Sequence, residues 1–126
     1  MFKDTKAFSS FSVNDLGKAR EFYVDTLGLD VNKEAAGLHL LLAGGGTVFI
    51  YPKSDHEPAS FTVLNFTVDD LKAAAGKLKE LGITFERYDT PELKTDEDGI
   101  CRVPHGPLIA WFKDPAGNVL SVFQEK

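Results

Sequence analysis

Few side chains in this 126-residue chain are suited to chemistry, and their placement decides which chemistry is open to it. There are three histidines, one cysteine (Cys101) and one tryptophan (Trp111). His39 lies in the apolar run "GLHLLL" and Tyr51 in "TVFIYP", so both are expected on strands. An imidazole and a phenol there could exchange protons with a small substrate. No Asp or Glu is placed by sequence to orient His39, although acid–base pairs generally involve carboxylates. Cys101 would serve as a nucleophile only with a lowered pKa, and nothing beside it in sequence supplies one. His56 and His105 fall in polar stretches that read as exposed loops. The acidic stretch 89–106, "DTPELKTDEDGICRVPHG", reads as a solvated loop. Its "DEDG" lacks the spacing and closing Glu of a calcium loop. In "WFKDPAGNVLSVFQ", two apolar strands flank a Pro-, Gly- and Asn-containing turn, and the outgoing strand presents Ser121.

Composition narrows the partners. A net charge of −5 with no basic cluster argues against nucleic acid and anionic membranes, and is compatible with a neutral or cationic small molecule. Hydrophobic content of 43% and charged content of 26% are those of a globular domain with a sizeable core. A lone cysteine permits no intrachain disulfide and suits a reducing compartment. "MFKDTK" has no apolar core of a signal peptide, and no apolar run approaches the ~20 residues of a membrane span. A cytoplasmic location is therefore expected.

The elements that must position these residues occur twice. Val13, Asp15, Leu16 and Ala19 recur 55 residues on as Val68, Asp70, Leu71 and Ala74; after a slip of one residue, Leu27-Gly28 recurs as Leu81-Gly82. Internal repetition fixes architecture, and two copies make a duplicated module. Each copy opens with an alternating strand, near Phe8 and near Phe61, followed by an amphipathic helix. The helical stripes are Leu16, Ala19, Phe22, Tyr23 and Leu27, then Leu71, Ala74, Leu78 and Leu81. Asn14 and Asp69 stand where N-caps belong, and Gly28 and Gly82 where C′ glycines belong. Further strands are expected over 29–32, 36–43 and 47–52, and over 83–88, 107–113 and 118–124. The expected fold is α+β: tandem βαβββ modules, approximately 5–53 and 60–126, forming one domain with a curved, half-barrel mixed sheet and helices on its outer face.

Strand alternation separates two faces. Phe11, Val13, Val48, Ile50, Leu64, Phe66, Val68, Leu108, Ala110, Phe112, Leu120 and Val122 should face the helices. The concave side should carry Phe8, Ser10, Ser12, His39, Phe49, Tyr51, Val63, Asn65, Thr67, Trp111 and Ser121, together with Leu41, Ile109, Val119 and Phe123. Aromatic rings among a few hydroxyl and amide groups are the usual lining of a small-molecule site.

The repeat, "DLGKAREFYVDTLGL" early and "FKDPAGN" late together resemble the vicinal oxygen chelate superfamily of glyoxalase I, bleomycin-resistance proteins, fosfomycin-resistance enzymes and extradiol dioxygenases. The resemblance covers nearly the whole chain. It implies four metal-ligand positions, one on the first and one on the last strand of each module. Carried onto this chain they fall on Phe8, Phe49 or Tyr51, Val63 and Ser121. None is a good ligand for zinc, iron, nickel or manganese. A binder resembling the bleomycin-resistance branch is therefore expected: it would take an aromatic or cationic guest in a metal-free cavity, with no cofactor and no assigned catalytic residue. An enzyme using His39 and Tyr51 without a metal is the alternative, and a metal-dependent lyase or dioxygenase is disfavoured. The resemblance also implies a homodimer, since such modules pair within a chain or across a two-fold axis.

Overall fold

A computed structural model describes residues 1–34, 36–102, 104 and 106–125, without the side chains of Lys33 and Glu34. The chain forms two compact units, Met1–Pro58 and Ala59–Lys126. In the first, β1 (Ser9–Val13) leads into helix α1 (Leu16–Arg20), which continues as a π-helical segment, Glu21–Thr26; β2 (Asp30–Glu34), β3 (Gly37–Leu41) and β4 (Thr47–Pro52) follow. In the second, β5 (Thr62–Thr67) and α2 (Leu71–Glu80) precede β6 (Ile100–Arg102), β7 (Leu108–Lys113) and β8 (Val119–Gln124). The sheet orders are β1-β4-β3-β2 and β5-β8-β7-β6. In each, the first strand lies parallel to the last and the other pairs are antiparallel. The fold is α+β with two βαβββ modules, and each module carries its own four-stranded mixed sheet.

Alternation assigns the helix faces as expected. Phe11 pairs with Ile50 and Ile50 with Leu38; Phe66 pairs with Val122 and Val122 with Ala110. Ile50, Leu40, Ala110 and Leu120 lie wholly out of solvent. Tyr23, also fully buried, meets Phe22 at 5.1 Å and Phe11 at 6.2 Å between ring centroids. In the second unit α2 packs on β7 and β8, and Phe85 meets Phe112 edge-on at 5.9 Å. Burying rings of this size supplies much of the favourable free energy of folding.

Several expectations shift. The N-caps are Asp15 and Asp70, one residue beyond Asn14 and Asp69; their carboxylates accept from the N–H groups of Lys18 and Ala73. A carboxylate there is also favoured by the helix dipole. Leu81 lies past the end of α2 and is exposed. Residues 83–88 do not form a ladder strand: a single bond from the Glu86 N–H to the Trp111 carbonyl ties them to β7. The third strand of that sheet instead comes from the acidic stretch read as loop. Its start is pinned by Asp96, whose carboxylate accepts from the N–H groups of Asp98 and Ile100 and from Arg102. Burial opposes ionisation of Asp96, but those three donors outweigh it and hold its pKa below the usual carboxylate value.

The two helices end alike apart from one residue. In the second unit the Ile83 N–H bonds back to the Leu78 carbonyl, five residues earlier, with Gly82 at φ 91°. In the first, the equivalent bond runs from Leu29 to Tyr23, six residues earlier, with Gly28 at φ 74°. The slip noted between the repeats therefore lies between Tyr23 and Leu29. The π-helical segment, with its Leu27-to-Phe22 bond, is where the extra residue is taken up.

Candidate functional site

The face of each sheet turned away from its helix carries the residues singled out by sequence. In the first unit the parallel β1–β4 pairing sets Ser10 beside Phe49 and Ser12 beside Tyr51, and the β3–β4 pairing sets His39 beside Phe49. The His39 ring lies 4.7 Å from that of Phe49 and 6.0 Å, edge-on, from that of Phe8, which is 63% exposed. Phe49 stacks toward Tyr51 at 6.2 Å. These rings form one aromatic band. His56 is not a freely exposed loop residue: it is half-buried, and its Nδ1 lies 2.6 Å from Ser12 Oγ. The chain after β4 bends back over the end of β1, a contact between residues 44 apart that no local pattern announces.

In the second unit Asn65, Ser121 and Trp111 form one cross-strand row. The equivalence of Val13 with Val68 makes this row the counterpart of Ser10, Phe49 and His39, so Phe49 rather than Tyr51 is the mate of Ser121. Ser121 is fully buried and its hydroxyl donates to Asn65 Oδ1. Thr67 stands on the next row, beside Phe123. Val63 falls where the β5–β8 register shifts, and Thr62 pairs with Val119 in its stead. The indole N–H of Trp111 donates to Thr62 Oγ1 at 3.0 Å. Thr62 was hidden from sequence reasoning because a bulge resets strand parity without a signature of its own here.

Tyr88 and Glu86 were also missed. The Tyr88 ring meets Trp111 edge-on at 5.5 Å, and Glu86 pairs with Lys113 at 3.3 Å. Alternation could have found them: with Phe85 packed on Phe112, positions 86 and 88, one and three residues on, turn to the other face. A carboxylate thus stands on a face that the sequence reading left without one, although Lys113 balances it. Burial, then the neighbouring Glu86, raise the Tyr88 pKa above that of a free phenol; Lys113 opposes this without cancelling it. Cys101 is buried in β6 opposite Ile109. His105 lies outside the described residues.

A divalent ion is poorly served by these positions. Phe8, Phe49 and Val63 offer hydrocarbon, and Ser121 offers one neutral hydroxyl already engaged with Asn65. Among the described residues, no group of three or more His, Cys, Asp or Glu side chains is placed to hold a metal.

Known proteins share this fold. The chain is similar in structure to a glyoxalase family protein from Enterococcus faecalis (TM-score 0.69, 23% identity, 98% of this chain and 99% of that one). TnmS3, an antibiotic binding protein from Streptomyces sp. CB03234, gives a TM-score of 0.64 at 26% identity, with 98% of both chains covered. The fosfomycin resistance protein FosX from Listeria monocytogenes gives 0.71 at 13% identity, over 98% of this chain and 94% of that one. No curated protein matches the sequence. Residues 8–122 match the family described as the Glyoxalase/Bleomycin resistance protein/Dioxygenase superfamily, and to that family the chain belongs.

Proposed function

We propose that this protein binds a small aromatic or cationic molecule on the open faces of its sheets, without a metal or other cofactor. The observation that carries this reading is the exposed or half-buried aromatic surface of each module, Phe8–His39–Phe49–Tyr51 and Trp111–Tyr88, interleaved with neutral hydroxyl and amide groups. Rings of this kind stack on planar guests and attract cations. The aromatic neighbours of His39 favour binding over acid–base catalysis, and the antibiotic-binding relative supports the same class of ligand. The modules are proposed to work as a single domain in a cytoplasmic homodimer, whose mass light scattering at micromolar concentration measures directly. No helix among the described residues is long and apolar enough to cross a membrane.

Trp111 is the sole tryptophan, so its emission reports on this surface without labelling. A panel of aromatic and cationic compounds, antibiotics included, is expected to contain one that shifts the emission saturably and raises the melting temperature. At a hundred times its dissociation constant such a guest stabilises by ~2.7 kcal/mol, well within reach of a thermal melt. Trp111→Phe should weaken a cationic guest by about 1 kcal/mol, since phenyl is the poorer cation–π face. Binding left unchanged by both Trp111→Phe and Ser121→Ala would place the guest elsewhere. Elemental analysis should find no stoichiometric Zn, Fe, Ni or Mn, and a chelator should leave the melting temperature unmoved.

A further inference from the structure

The polar atoms on the open face of the second unit are unequally divided between donors and acceptors. An indole nitrogen can only donate, and Trp111 spends its proton on Thr62 Oγ1. The Thr62 hydroxyl, used there as an acceptor, keeps its own proton for another partner. On the adjoining row, the Ser121 hydroxyl donates to Asn65 Oδ1. That bond engages the amide oxygen of Asn65, an exposed residue, and does not use its two Nδ2 protons. Ser121 itself is fully buried, so its remaining lone pairs are withdrawn from a guest. Val119 and Ser121 are two positions apart on one strand, so their partners Thr62 and Asn65 stand on neighbouring rows of the sheet. Beside them, against Trp111, stands Tyr88, whose phenol, like any tyrosine hydroxyl, is protonated at neutral pH and able to donate. The ion pair on this face, Glu86 with Lys113, is balanced and selects neither sign.

We infer that this face selects a planar aromatic molecule bearing a hydrogen-bond acceptor, such as a ring carbonyl, over one bearing a cation. The inference rests on the binding reading above and narrows it. A hydrocarbon guest lying over Thr62 and Asn65 would strand their protons away from water, and a cationic guest would meet in the Asn65 amide nitrogen a donor where it needs an acceptor. A carbonyl oxygen set against either donor takes up a proton the protein has left over, while the rings of Trp111 and Tyr88 supply the apolar wall.

Three tricyclic compounds of similar size separate these cases: 9-fluorenone, which carries a carbonyl, fluorene, which lacks it, and 9-aminoacridine, which is cationic. Equilibrium dialysis against the full chain, with Trp111 emission and thermal shift alongside, should show fluorenone bound at least tenfold more tightly than fluorene and more tightly than aminoacridine. Asn65→Asp preserves an acceptor for the Ser121 hydroxyl and exchanges both donors for a carboxylate oxygen. It should weaken fluorenone at least fivefold and strengthen aminoacridine. Because Asn65 is exposed, the variant is expected to fold, and its unliganded melting curve checks this; the comparison of fluorenone with fluorene on the unmodified chain needs no variant. Equal affinity for fluorenone and fluorene, or a preference for aminoacridine, overturns the donor inference while leaving the binding function standing. No response to these three or to the wider panel removes both.

Discussion

Asp114→Ala is expected to cost about 4 kcal/mol of stability, because three donors lose their acceptor, two of them in Asn118, which is buried. The carboxylate accepts from the backbone N–H groups of Ala116 and Asn118, each at 2.9 Å, and from Asn118 Nδ2 at 3.0 Å. Asp114 is 4% exposed and Asn118 2%, so little solvent can stand in for the missing oxygens. The turn's backbone bonds, Asp114 N–H to the Asn118 carbonyl and Gly117 N–H to the Asp114 carbonyl, would remain. Urea denaturation measures the loss, and a change under 1 kcal/mol would show that the carboxylate is replaceable by water. The turn sets the register between β7 and β8, and that register places Trp111 opposite Ser121. Guest binding on this face should therefore weaken together with stability.

Gly37→Ala is expected to cost about 3 kcal/mol or more, through overlap with backbone rather than through conformational preference. A methyl group at this position would run into the carbonyl oxygen of Ile50 and come within 3.0 Å of the Phe49 ring. Ile50 is wholly buried and paired to Leu38, so its carbonyl has nowhere to retreat. The substitution must therefore prise β3 from β4 at this end or push the Phe49 ring off its face. Thermal melts should show the loss; near-wild-type stability would mean that the strand end relaxes freely. Since Phe49 lies 4.7 Å from His39, the same change should also disturb any guest held by the first unit's aromatic band.

Much of this was legible in advance because the information is local. Period-two alternation sorted the two faces of β1, β4, β7 and β8, and the paired repeats fixed the order of elements. Asp114, Gly117 and Asn118 announced their turn through side-chain chemistry that acts within five residues. What escaped depends on contacts between distant segments. The Ser12–His56 contact, the bulge that exchanges Val63 for Thr62, and the recruitment of Ile100–Arg102 as a strand are all decided by partners elsewhere in the chain. In "DEDGICR" the charged residues suggested solvent. In the folded chain Asp96 turns its charge to local N–H groups and Arg102, and frees Ile100 and Cys101 to enter the sheet. Gly37 gave no sign, since the crowding around it comes from another strand.

The π-helical segment marks the place where the two modules of the repeat differ by one residue. A codon gained in a loop would have vanished into its slack, and one gained in a strand would have turned every later side chain over to the wrong face. Gained within a helix that is anchored by the Asp15 cap at one end and the Gly28 stop at the other, it could be stored as a widened turn. The strands on both sides kept their reading frame, so Phe49 still corresponds to Ser121 and His39 to Trp111. The two open faces could then drift apart residue by residue, one toward a band of rings and the other toward neutral hydroxyl and amide groups, without the architecture having to be invented twice.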